Sequence, residues 1–192
     1  IFRIASHCTE ASMTKSHIEY IKSKNKTVYG ALMMCATCSL DTLVDEVKKL
    51  KSYGADAVII MDSTGSFLPD QVKECFIKLS EVDIKLGFHA HNNLSLAVAN
   101  SLIAIQHGAS IIDVTVNGFG AGAGNTPLEI MTTISSSSNM NVMDHIEKLE
   151  YKSPTIKLIN ILTAKNKLHS VFEKEILYSA NKYNIKIPNL VK

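Results

Sequence analysis

An α/β fold built on a parallel sheet is what this sequence predicts, and two observations carry the prediction. Apolar, β-branched runs alternate five times with amphipathic helical stretches over residues 1–137. The runs are apolar throughout rather than alternating with polar residues, as strands are when helices cover both faces of a sheet.

Each unit has its own signals. IFRIAS (1–6) leads to the helical stretch TKSHIEYIKSK. TVYGALMM (27–34) leads to LDTLVDEVKKLKSYG, where Leu43, Val47 and Leu50 share a helical face and Gly54 is the expected stop. AVIIMDS (57–63) leads to LPDQVKECFIKLS, with Pro69 early in the helix. IKLGFHAH (84–91) leads to LSLAVANSLIAIQHG, ended by Gly108, and IIDVTVNG (111–118) leads through a glycine-rich turn to a helix near 126–137. After the polar break SSSSN (135–139), NVMDHIEKL, SPTIKLINILTA and SVFEKEILYSANKYN read as helices without strands between them. The expected organisation is therefore βα units over 1–138 and a helical region over 139–192.

Five consecutive parallel βα units fit either a doubly wound sheet or part of a (β/α)8 barrel. Both gather functional groups at the C-terminal ends of the strands. The polar residues obey that rule: HCTEA follows the first strand, DSTG the third, HAHNN the fourth and NGFGAGAGN the fifth. Four polar strand ends on one face predict an active site.

The 192 residues, 46% hydrophobic with a formal net charge of +2, suit one globular domain with a substantial buried core. The charge is too balanced for a nucleic-acid or membrane-surface role. No apolar run approaches the roughly 20 residues a membrane span needs, and no signal-peptide pattern opens the chain. The sequence starts at Ile1, inside an apolar run and without an initiator Met, so an upstream part is expected. Cys8 and Cys75 stand alone, whereas Cys35 and Cys38 form a single CATC. No second CxxC or CxxH completes a zinc site, and a redox pair wants a thioredoxin-like setting. Reduced, cytoplasmic thiols are the expectation.

The HAH motif puts His89 and His91 on the same side of a strand, because side chains there repeat every two residues. Two imidazoles aimed together suggest a metal site, although imidazole does not choose among zinc, iron, cobalt and manganese. A satisfied structural histidine is the alternative. In DSTG, Asp62 or Ser63 could cap the following helix, and Ser63 could bind a substrate carboxylate. GFGAGAGN has GxGxxG-like spacing, but it closes the last βα unit and no strand follows, so nucleotide binding is rejected. Its glycines let the backbone turn tightly and approach a ligand or a neighbouring loop. His7 and Glu10 are either a polar pair at the first strand mouth or helix-start residues. His17, His107 and His145 read as surface positions on helices.

These segments give a resemblance. HCTEASMTKSHIEY, GALMM, YGAD, MDSTG, GFHAHNNLSLAVANS, GAGAGNTPLE and LHSVF, in that order, resemble the 4-hydroxy-2-oxovalerate aldolases, within the wider family of aldolases and HMG-CoA-lyase-like (HMGL-like) barrels. The match covers residues 1–130 closely and the C-terminal helices loosely. It implies a partial (β/α)8 TIM barrel, about the last five βα units, followed by C-terminal helices. It implies a divalent metal, commonly Mn2+, held by an HxH pair and an Asp, and so makes His89 and His91 metal ligands. Ser63 falls where the family has a serine against the pyruvate moiety, with Asp62 beside it.

The family's Arg-Asp pair, source of the third ligand, lies on the first barrel strand, and its catalytic base lies nearby. No such pair occurs in these residues, and IFRIAS matches about the fourth strand. An N-terminally truncated piece of a longer enzyme, inactive alone, is expected. His7 and His169 are the local candidates for the base. The family's Gly- and Tyr-rich C-terminal segment is replaced by AKNKLHSVFEKEI, which resembles members with an Asn-x-His segment and leaves the aldehyde open. The function implied is metal-dependent cleavage of a 4-hydroxy-2-oxoacid to pyruvate and an aldehyde. The resemblance also implies an oligomer and an acylating aldehyde dehydrogenase as partner. The alternatives are an acyl-CoA lyase or synthase of the same superfamily, or a non-catalytic remnant that binds metal or a partner.

Overall fold

Five strands form one sheet in the order they occur in the chain, β1-β2-β3-β4-β5. They are β1 (Phe2–His7), β2 (Val28–Met33), β3 (Ala57–Asp62), β4 (Lys85–Ala90) and β5 (Ala109–Asp113). The structure, a computed structural model, describes residues 1–134, 146, 149 and 152–191. The strands run parallel, as the registers of β1 with β2, β2 with β3 and β4 with β5 show. A doubly wound sheet reverses its strand order at a switch point. This sheet has no reversal, and the chain folds as a five-unit part of a (β/α)8 barrel.

Two compact units divide the chain. The first comprises Ile1–Ser63, Phe67–His89 and Ala99–Asp113; the second comprises Thr64–Ser66, Ala90–Val98 and Val114–Lys192. In the first unit the inner strands are buried on both faces, with Leu32, Val58, Ile59, Ile60 and Phe88 fully enclosed. That is why their sequences lack alternation. Helix α1 (Lys15–Ser23) buries Ile18 and Ile21, and α2 (Leu40–Ser52) buries the face of Leu43, Val47 and Leu50 that the spacing predicts. Ser39 opens α2, its hydroxyl accepting the Thr42 N–H. Helix α3 (Pro69–Leu79) buries Phe76, whose ring meets Phe88 edge-on at 5.7 Å, a contact worth about 1 kcal/mol beyond the area it buries. Glu46 is buried too, accepting the Ala11 N–H at 2.7 Å and the Lys49 ammonium at 2.6 Å.

At Gly87 in β4 the backbone passes too close to its neighbours for a side chain. A Cβ there would lie 2.4 Å from Ile59 Cδ1 and 3.0 Å from the Ile111 carbonyl oxygen. Gly87→Ala is therefore expected to destabilise the protein by about 1–3 kcal/mol, read as a lower urea midpoint with unchanged slope.

In the second unit the fifth strand segment stops sooner than its sequence suggests. IIDVTVNG leaves the ladder after Asp113: Thr115 exchanges backbone bonds with Thr126 and Leu128, and Val116–Gly118 forms a 3-10 turn with Asn117 at φ 52°. Helix α4 (Ala97–Gln106) begins in this unit and ends in the first, with Gly108 just beyond it. Helix α5 (Leu128–Ile134) follows the glycine-rich loop. Further on come helices Leu158–Lys165 and Glu173–Tyr183, and a short helix Ile187–Leu190 that the sequence patterns do not signal. SSSSN, most of NVMDHIEKL with His145, and the expected 138/139 boundary lie outside the described residues. No helix among the described residues is long and apolar enough to cross a membrane.

Candidate functional site

The strand ends of the first unit carry the most informative side chains. His89, the penultimate residue of β4, has its Nδ1 2.9 Å from the Asp113 carboxylate at the end of β5. Arg3 of β1 reaches the same carboxylate with both terminal nitrogens, Nη2 at 2.9 Å from Oδ1 and Nη1 on Oδ2. Residues of the two outer strands thus meet, which a sheet curved as in a barrel permits. Burial raises the Asp113 carboxyl, but the hydrogen bond from His89 and then the one from Arg3 outweigh it and hold the group at about 2. An ionised carboxylate only accepts, so His89 donates from Nδ1, and in a neutral ring that tautomer puts the lone pair on Nε2.

Other predicted residues in this unit have local partners. Ser63 Oγ accepts the Met34 N–H at 2.9 Å, steadying a residue held at φ 63°. The Ser63 hydroxyl hydrogen is not used in that bond. Asp62 accepts the Phe67 N–H at 3.0 Å. Neither residue caps α3, where Gln71 Oε1 accepts the Leu68 N–H. The capping expectation for Asp62 and Ser63 is corrected accordingly: the N-cap position of α3 is Leu68, and Asp62 accepts from Phe67, the residue before it. His7 pairs with Thr9, Nδ1 to Oγ1 at 2.8 Å, and not with the exposed Glu10. His17 is exposed and His107 is half-buried on or beside helices.

In the second unit His91 pairs through an antiparallel bridge with Asn125, the asparagine that ends GFGAGAGN. Asn92 donates its N–H to the Gly124 carbonyl at 2.8 Å, and Asn93 Oδ1 accepts the Ala123 N–H at 3.2 Å. The HNN turn therefore holds the glycine loop. Asn125 Nδ2 donates to the Phe119 carbonyl at 3.1 Å, while its buried Oδ1 has no hydrogen-bond partner among the described residues. Gly124 stands at φ +88°, and a Cβ there would lie 2.2 Å from the Gly118 carbonyl oxygen. Gly124→Ala is expected to cost roughly 2 kcal/mol or more, lowering the thermal midpoint by about 4–8 °C. His169 caps the 3-10 turn Ser170–Phe172: its Nδ1 accepts the Val171 N–H at 3.1 Å. A neutral ring so engaged carries its hydrogen on Nε2. His169 and Gly122 line one concavity of about 620 Å³ in this unit.

Among the described residues no three His, Cys, Asp or Glu side chains are grouped to hold a metal ion. The donor chemistry nevertheless suits one. A metal-binding imidazole characteristically gives its second ring N–H to a carboxylate, as His89 does with Asp113. In the second unit, taken by itself, Asn125 has a buried amide oxygen, an acceptor of the kind hard cations take. Arg3, Asp113 and Asn125 are missed by sequence reasoning. Asp113 sits at a strand end, where the barrel rule would have flagged it, and Arg3 is the only arginine of the chain.

The residues from 5 to 156 match the HMGL-like family, and the chain belongs to it. Among curated relatives, the 4-hydroxy-2-oxovalerate aldolase of Pectobacterium atrosepticum is 41% identical across 96% of this chain, and the enzyme of the same name from Spirochaeta aurantia is 42% identical across 96%. This chain spans 57% and 58% of their respective lengths. Among solved structures, the N-terminal domain of a candidate aldolase from Bacteroides vulgatus superposes with a TM-score of 0.77 at 25% identity, over 95% of this chain and 64% of that one. The carboxyl transferase domain of Rhizobium etli pyruvate carboxylase, solved with pyruvate, gives 0.74 at 15% identity over 96% and 35%, a likeness of fold.

Proposed function

We propose that this chain supplies much of the active site of a divalent-metal-dependent aldolase that cleaves a 4-hydroxy-2-oxoacid to pyruvate and an aldehyde. The observation that carries this reading is the His89–Asp113 pair, with the carboxylate held ionised and the ring oriented through Nδ1, so that Nε2 is the nitrogen that would ligate. The names of the relatives support the reaction and the substrate class. His89 and His91, two residues apart in the HAH motif, would hold the metal. When bound, Mn2+ would supply Lewis acidity that stabilises charge on the enolate oxygen of the departing pyruvate.

The chain's own side chains do the rest. The Ser63 hydroxyl, with its oxygen anchored by Met34 N–H, donates its hydrogen to the substrate carboxylate. His7, whose Nδ1 lies 2.8 Å from Thr9 Oγ1, would take the 4-hydroxyl proton on Nε2 in the tautomer that donates to Thr9. Loss of that proton makes the C4 carbonyl of the aldehyde as the C3–C4 bond breaks, and its electron pair leaves on the pyruvate side. His169, with its hydrogen on Nε2, is suited to donate rather than to act as base. Exposed apolar side chains on the C-terminal helices, Leu158, Ile161, Leu177 and Tyr178 among them, support contact with other subunits or an acylating aldehyde dehydrogenase. The four free thiols fit a cytoplasmic setting. Pyruvate release from a 4-hydroxy-2-oxoacid, coupled to NADH oxidation by lactate dehydrogenase, tests the reading. Activity should vanish with a chelator and return with Mn2+; cleavage indifferent to chelation would exclude the metal-dependent mechanism.

A further inference from the structure

The CATC motif is a sequence feature that the aldolase chemistry leaves unused, and its two thiols part company in the fold. Cys35 is fully buried and its Sγ donates to the Leu32 carbonyl at 3.0 Å. Cys38, partly exposed just before α2, turns instead to the end of β1, with Sγ 3.8 Å from the Cys8 carbonyl oxygen. Cys8 Sγ reaches back to the same segment, 3.5 Å from the Met34 carbonyl and 4.0 Å from Thr37 Oγ1. Met34 and Thr37 flank and end the 3-10 turn Cys35–Thr37 that delivers Cys38. The β1 ladder fixes the other side, since Cys8 N–H donates to Met33 O at 2.9 Å. Each of two thiols on separate elements is thereby held to the other's backbone segment, which is itself well anchored.

We infer that Cys8 and Cys38, rather than the CxxC pair, form a redox couple that a hydroperoxide converts to a reversible disulfide. Cys38 is the more accessible thiol and meets the oxidant first. Its sulfur takes one peroxide oxygen to become a sulfenic acid, and the other oxygen leaves as water from hydrogen peroxide or as the alcohol from an organic hydroperoxide. Cys8 sulfur then attacks Cys38 sulfur; the S–S bond forms, and the sulfenic hydroxyl leaves as water with the Cys8 proton. Two thiols lose two electrons and two protons, and one hydroperoxide bond is reduced. Burial first, and then the hydrogen bond with Cys38, push the Cys8 thiol up to about 12, so it stays protonated and is not the thiol that meets the oxidant first. The bond would clamp the mouth of β1, directly after His7, to the start of α2. The couple does not depend on the aldolase reading.

The test is to treat the reduced protein with stoichiometric hydrogen peroxide, alkylate with iodoacetamide and digest with trypsin. The expected product is a cross-link between peptides 4–15 and 27–48, removed by dithiothreitol, with two of the four free thiols lost to alkylation. Tandem fragmentation of the wild-type cross-link should place the bond on Cys38, which needs no variant. C35S should keep the cross-link and C38S should remove it. A Cys35–Cys38 loop within peptide 27–48, a bond from Cys8 to Cys35, or recovery of both peptides fully alkylated would overturn the proposal.

Discussion

Replacing His89 with alanine is expected to weaken Mn2+ binding by more than 100-fold, and with it the metal-dependent release of pyruvate. Loss of an outer partner of a ligating histidine already costs ~10–100-fold in affinity, and His89→Ala removes the ligating nitrogen itself. The side chain sits at the end of β4, half-buried, with Nδ1 committed to Asp113. The measurement is a Mn2+ titration followed by electron paramagnetic resonance, run beside the coupled pyruvate assay. His91→Ala should behave alike, because the proposed ion needs both imidazoles. Retention of wild-type Mn2+ affinity by either variant would remove the metal site from these residues.

Asp113→Asn should act on both stability and metal affinity. At neutral pH it deprives Arg3 and His89 of their shared anion. The Asp113 side chain is 17% exposed, whereas that of Arg3 is 38% exposed, so water offsets part of the loss and the expected cost is about 1–3 kcal/mol. The carboxyl is held at about 2 when folded, below its ordinary value near 3.9. Its contribution is therefore complete above about pH 4 and is lost as the pH falls toward 2. That stretch should remove about 2 kcal/mol of wild-type stability. The asparagine variant should lack this component of the acid slope in urea unfolding between pH 6 and 2.5. Its Mn2+ affinity should fall by ~10–100-fold, less than for His89→Ala, since the ligand remains and only its orientation and basicity suffer. An unchanged acid slope would mean that Arg3 and His89 do not hold the carboxylate in solution.

Much of the fold was legible because its physics is local. The apolar runs of β2, β3 and β4 announce strands buried on both faces, and the spacing of Leu43, Val47 and Leu50 announces the buried stripe of α2. The end of β5 was less legible, because VTVNG has strand-forming residues whose backbone bonds go instead to Thr126 and Leu128. Tertiary partners overrode propensity there. Among the candidate residues, HAH and DSTG declared themselves by position at strand ends. Asp113 stands at a strand end too, but nothing near it in the sequence shows that a histidine and an arginine meet it.

The sequence by itself determined that five βα units run in series, and that a polar stretch follows the first, third, fourth and fifth strands. Those facts follow from periodicities of two and 3.6 residues, which neighbouring residues set. Only the tertiary structure decided who meets whom. Arg3, His89 and Asp113 lie on three strands, and 110 residues separate the arginine from the aspartate. Cys38 meets Cys8 across 30 residues and turns away from Cys35, three residues before it. Such pairings depend on sheet curvature and turn geometry, which no short stretch of residues specifies.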